Sequence, residues 1–198
     1  MIKVSFTFTL MLGLLATVAF SHAVSAQPLT EPPKGVGTAG NQTMASTATS
    51  DLTPYSNPNL GLTLEYPSNW TKQESLVFIS PQVGIGNQAP ELITIDTEVL
   101  PTLDFSLDTY TNLSLRQAQE SLQDFKLLNS SSTTTLAGLP AHMIVYSFTP
   151  SQNTTLQNLA TWTIKDGMVY IITYIATPEE FESSLPALRS VLDTFRPE

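Results

Sequence analysis

The chain has 198 residues, 41% of them hydrophobic and 13% charged, with 14 prolines and no cysteine. A formal charge of −9, with only eight scattered Lys and Arg, excludes the clustered basic surface that nucleic acid requires and disfavours adsorption to anionic lipid. The length allows one domain or two small ones, and a domain of this size buries enough apolar surface to stand without disulfides.

Lys3 precedes an apolar run from Val4 to Phe20, and SHAVSAQP then supplies the small residues Val24 and Ala26. This is the pattern of a secretory signal peptide, residues 1–26, with cleavage expected after Ala26. The alternative for the same run is an uncleaved signal anchor, the one route by which this chain would engage a membrane. On either reading the remainder is extracytoplasmic: secreted, at the cell surface, or in a periplasm-like space. Without cysteine there is no acceptor for a lipid anchor. Residues 27–53 are rich in Pro, Gly, Ser and Thr and read as a flexible linker. Within it GVGTAG, Gly35 to Gly40, fits a Gly-x-Gly-x-x-Gly pattern. No strand precedes it and no amphipathic helix comes after it, so it is not read as a nucleotide site.

Residues 54–198 read as one compact domain. Leu60, Leu62, Leu64 and Tyr66 alternate with Thr63 and Glu65, the period of a half-buried strand. That strand stops at YPSNW, where Pro67 ends pairing, Ser68-Asn69 turn the chain and Trp70 caps the core edge. SLVFIS, Ser75 to Ser80, and ELITIDTEV from Glu91 supply two further strands. The next segment switches to helical period, with Ser106 as N-cap and Asp108 at the positive end of the dipole. Leu107, Tyr110, Ala118, Leu122 and Phe125 fall within an arc of about 120°. STTTLAGLPAHMIVYSF reads as two strands broken at Gly138-Leu139-Pro140. LATWTIKDGMVYIITYIA is a hairpin around Asp166-Gly167, with a second arm apolar on both faces, as in a central strand. Thr177, Pro178 and Glu180 form a helix-start signature, and Pro186 divides the C-terminal segment into a turn and a longer helix. The fold class is α+β: an antiparallel sheet of about five to seven strands flanked by helices.

Three pieces in this order, YSNPNLGLTLEYPSNW from Tyr55, LAGLPAHMIVYSF from Leu136 and TIKDGMVYIITYIATPEEFESSLPALRSVLDTFR from Thr163, resemble the PsbP family. These are extrinsic lumenal subunits of photosystem II, with many non-photosynthetic prokaryotic relatives. The resemblance implies an α/β/α sandwich, shared with a Ran-binding nuclear import factor and several envelope lipoproteins, and a non-catalytic character. In photosystem II the relative helps retain calcium and chloride near the manganese cluster. No motif for that role can be matched residue by residue here, so the resemblance carries over no binding residue.

Candidate chemistry is sparse. His22 leaves with the signal peptide if that is cleaved, and His142 lies on a strand face with Ile144, Tyr146 and Phe148. No Gly-x-Ser-x-Gly surrounds any serine, and no His/Cys pattern suits zinc or copper. Calcium takes carboxylates, and Asp96, Glu98, Asp104 and Asp108 lie close in sequence, though not at the spacing of a calcium loop. Trp70, Trp162, Tyr146, Tyr170 and Tyr174 are read as core, their alternation predicting burial. Asn-x-Ser/Thr sequons stand at Asn41, Asn69, Asn112, Asn129 and Asn153, candidates for glycosylation.

The leading reading is an exported, non-catalytic accessory or binding domain in an envelope complex with a protein partner the sequence does not name. The alternative is a calcium- or small-ligand-binding extracellular protein, with an oxygen-evolving-complex type of role only through the family. A hydrolase built on His142 comes third.

Overall fold

The computed structural model describes residues 51–72, 76–81, 90–151 and 154–198. The signal peptide with its cleavage point after Ala26, the linker up to residue 50, and the sequons at Asn41 and Asn153 lie outside the described residues. In chain order the elements are β1 (Leu52–Asn57), β2 (Leu62–Pro67), β3 (Thr71–Lys72), β4 (Val77–Ile79), β5 (Leu92–Val99), α1 (Leu107–Ser121), β6 (Lys126–Leu136), β7 (Leu139–Ser151), β8 (Thr154–Lys165), β9 (Met168–Ala176), α2 (Leu185–Thr194) and β10 (Arg196–Pro197). Strand β1 opens at Leu52, inside the last positions of the segment read as linker.

Seven strands form one antiparallel sheet in the order β3-β4-β5-β9-β8-β7-β6, and β1-β2-β10 form a second, smaller one. This is the α+β architecture expected, with one difference: the leucine strand β2 does not join the main sheet. It pairs with β1 on one side and β10 on the other. Its alternate leucines, Leu62 and Leu64, form an apolar face that needs a facing layer. They find it against Phe78, Ile93 and Ile95 of the main sheet and Leu188, Val191 and Phe195 near the C-terminus. One face of the main sheet therefore carries α2 and the small sheet. The other, built on Ile144, Phe148, Trp162 and Ile171, is covered by α1 through Tyr110.

Strand β9 lies between β5 and β8, and every residue from Val169 to Ala176 is buried, which is why both of its faces are apolar. Its hairpin turn has Asp166 at φ +50° and Gly167 at φ +79°, the two positive values of a type I′ turn. The β6–β7 turn has the same form, but Ala137 (φ +53°) and Gly138 (φ +78°) make it, so Leu139 and Pro140 already belong to β7. The shift has a plain cause. Proline is fixed near φ −65° and cannot occupy either central position of such a turn.

At the YPSNW corner, Trp70 N–H donates to Pro67 C=O at 2.9 Å and the indole is buried in the core. Near the C-terminus Thr177 and Glu180 do meet, with the Thr177 hydroxyl donating to Glu180 Oε2 at 3.1 Å, yet only turns come after them. Helix α2 starts at Leu185 with Pro186 in its first turn, because proline inside a longer helix would remove a ladder hydrogen bond.

Candidate functional site

Several buried polar side chains, Thr111, Ser114 and His142 among them, gather under α1. Ser106 caps this helix, its hydroxyl accepting from Thr109 N–H at 3.1 Å. The buried face consists of Tyr110, Thr111, Ser114 and Ala118, so it meets the sheet partly through hydroxyls. Leu107 and Leu122 pack against the core only at its margin, and Phe125 lies beyond the C-cap, Leu122. Periodicity of apolar residues locates the helix; it does not reveal that Thr111 and Ser114 face inward.

Thr111 is the centre of this seam. Its hydroxyl donates to Leu107 C=O at 2.8 Å, accepts from Trp162 Nε1–H at 3.1 Å and lies 2.7 Å from His142 Nδ1. The one hydroxyl proton is committed to the carbonyl, so Nδ1 of His142 must be the donor to Thr111. Nε2 of His142 then faces Asp108 Oδ1 at 3.4 Å, at the exposed start of the helix. A threonine, a histidine and an aspartate are thus in line, but not as a reaction centre. Both acceptor positions and the donor of Thr111 are occupied, and it is buried beneath the helix. A nucleophile needs a free lone pair and access to a substrate.

A second group flanks the first. Tyr110 O–H donates to Glu98 Oε2 at 3.0 Å. Partial burial, and then the neighbouring charge of Asp96, push the Glu98 carboxyl above its ordinary value, against the Tyr110 hydrogen bond. Asp96, two residues earlier on β5, is raised by desolvation against the opposing hydrogen bond from Thr94. Tyr110 is held well above the usual phenol range by burial and by the charge of Glu98. On the opposite face, Ser184 donates to Glu91 Oε1. Burial and the nearby Glu180 raise the Glu91 carboxyl. Sequence reasoning did not find Glu91, since its partner is 93 positions away.

The four carboxylates considered for calcium do not converge. Asp96 and Glu98 stand on β5, Asp104 in the exposed turn before α1, and Asp108 beside His142. Among the described residues no three His, Cys, Asp or Glu side chains form a group able to hold a metal. Trp70, Trp162, Tyr146, Tyr170 and Tyr174 are all buried, as their alternation predicts. A shallow, open groove between β1, β2 and the end of α2 is lined by Tyr55, Leu64, Glu65, Thr194 and Arg196. At one end of the main sheet two large apolar side chains stand in solvent: Val99 is 81% and Leu103 is 86% exposed. They flank the Asp166-Gly167 turn, where Val99 pairs with Met168 and Leu100 N–H donates to Gly167 C=O at 2.8 Å. Asn69, Asn112 and Asn129 are exposed. Among the described residues no helix is long and apolar enough to cross a membrane.

The same architecture recurs among solved structures. The solution structure of cyanobacterial PsbP from Synechocystis sp. PCC 6803 is similar at TM-score 0.54 and 18% identity, over 82% of this chain and 99% of that one. LpqN of Mycobacterium tuberculosis, involved in cell envelope biogenesis, is similar at TM-score 0.53 and 18% identity, over 73% of this chain and 89% of its own. A Pseudomonas aeruginosa protein of unknown function, described as a putative regulator, is similar at TM-score 0.52 and 22% identity, over 70% and 91%. At these identities the likeness is one of fold. No functionally curated protein matches the sequence. A family model described as PsbP-like protein matches residues 13–196. With the sheet order, the two helices and that match taken together, the chain belongs to the PsbP-like family.

Proposed function

We propose that this chain is an exported accessory domain that binds a protein partner in an envelope-associated complex and performs no reaction of its own. The observation that carries this reading is the saturated Thr111 hydroxyl. Among the described residues, this set of reactive side chains spends its hydrogen bonds on one bond within α1 and two that fasten the helix to the sheet. The apolar run of residues 4–20 with small residues after it supports export. Similarity to LpqN, itself involved in cell envelope biogenesis, fits the same setting.

The contact surface is the end of the main sheet that presents Val99 and Leu103, with Asp104 and Asp166 beside them. That chemistry suits an apolar pocket rimmed by Lys or Arg. The test joins protease accessibility on intact cells with cross-linking capture from envelope fractions. The expected result is an accessible chain that captures one partner. Val99→Asp/Leu103→Asp should lose that partner while Leu128→Asp, at a distant edge, keeps it. A chain protected inside the cell, or capture unchanged by the double variant, overturns the proposal. Calcium binding that calorimetry detects at micromolar affinity would favour the ligand-binding alternative instead.

A further inference from the structure

We propose that Asn129 carries an N-linked glycan that shields the free edge of the main sheet. Strand β6 is last in the order of that sheet, so one side of its backbone pairs with β7 and the other has no partner strand among the described residues. From Leu127 to Leu136 it reads LLNSSSTTTL, without a charge or a proline. A long, uncharged edge is a template for pairing with another chain, and proteins blunt such edges with lysine, proline, bulges or a cover. Here register shifts between Leu127 and Asn129 and between Ser131 and Thr134 supply bulges and Lys126 stands at the start of the strand, but from Leu127 to Leu136 it has neither lysine nor proline. Beside the first bulge Leu127 and Leu128 are 43% and 53% exposed. The next residue is Asn129, at the head of Asn-Ser-Ser. Its Oδ1 accepts from Ser130 N–H at 2.8 Å, and its Nδ2 has no partner among the described residues.

The distribution of asparagines points the same way. Five of nine head a sequon, where a chain with 47 Ser and Thr in 198 residues would place about two by composition alone. Buried Asn158 bonds to Tyr146, and Asn57 holds the turn at Asn59 and Leu60; neither heads a sequon. Asn69, Asn112 and Asn129 head sequons, and all three are exposed.

The donor is an oligosaccharide carried on a polyprenyl phosphate or pyrophosphate. Asn129 Nδ2 bonds to the anomeric carbon, the C–O bond to phosphate breaks, the lipid phosphate leaves with the electron pair, and Nδ2 gives up one proton. The transferase reads the hydroxyl at Ser131. The proposal rests on the export reading, because sequons are glycosylated in exported chains.

Peptide mass spectrometry on the full-length protein from its own cells tests it. The peptide containing Asn129 should carry a glycan mass. Ser131→Ala should lose that mass completely and enrich aggregates several-fold in size-exclusion profiles, while Ser131→Thr keeps the mass and the wild-type profile. Export is read separately by protease accessibility on intact cells. A bare Asn129 in an accessible chain overturns the glycan and leaves export standing. A bare Asn129 in a protected chain overturns both, and a mass that survives Ser131→Ala overturns the sequon as its origin.

Discussion

The Thr111 hydroxyl serves three partners, and removing it would strand two buried donors, His142 Nδ1–H and Trp162 Nε1–H. Each unpaired donor costs about 1–3 kcal/mol, so Thr111→Val, nearly isosteric, should lose about 2–6 kcal/mol in urea unfolding. Thr111→Ser keeps the oxygen and should lose about 1 kcal/mol or less, the worth of a methyl group. Equal midpoints for the two variants would mean the seam does not hold α1. The strand face of His142 was legible in AHMIVYSF because alternation is local. Its partner was not, because Thr111 sits 31 positions away on another element. Weighing helix positions by apolarity also passes over a threonine that turns inward.

At the scale of elements, the two type I′ turns allow a comparison. Gly138 and Gly167 both sit near φ +80°, yet an added Cβ at Gly138 meets nothing within 4 Å, whereas at Gly167 it comes within 2.8 Å of Leu103 Cδ2. Gly138→Ala should therefore cost only the left-handed strain, about 1–2 kcal/mol. Gly167→Ala should cost more, by an increment that Leu103→Ala removes; thermal melts of the four variants decide it. If Gly167→Ala loses no more than Gly138→Ala, the exposed leucine simply moves aside. Both hairpins were readable from their turn glycines, although the first turn is made by Ala137 and Gly138 rather than by Gly138-Leu139-Pro140. The small sheet was not, since the two residues of β10 carry no periodicity and their pairing with β2 spans the domain.

For the whole molecule, charge and burial act in the same direction. Glu91, Asp96 and Glu98 all have folded values above their unfolded ones, so the folded state binds more protons through that window. Their contribution is fully present below the unfolded values, near 4.5 for glutamate, and is lost as pH rises through the raised ones. Self-repulsion at a net charge of −9 adds to the loss. Melting temperature should accordingly fall from about pH 5 to pH 8. Glu98→Gln keeps an acceptor for Tyr110 and deletes the charge. It should melt above wild type at neutral pH and match it near pH 4, as circular dichroism melts can read. A wild type that melts highest at pH 8 would contradict this.

The cross-domain closure of β2 also sets a clock. Glu65 N–H donates to Thr194 Oγ1, 129 positions later, and β10 completes the sheet just beyond. In a chain emerging N-terminus first at roughly 5–20 residues per second, Leu62 and Leu64 wait on the order of ten seconds for their cover. During that interval a holding chaperone would find its substrate there.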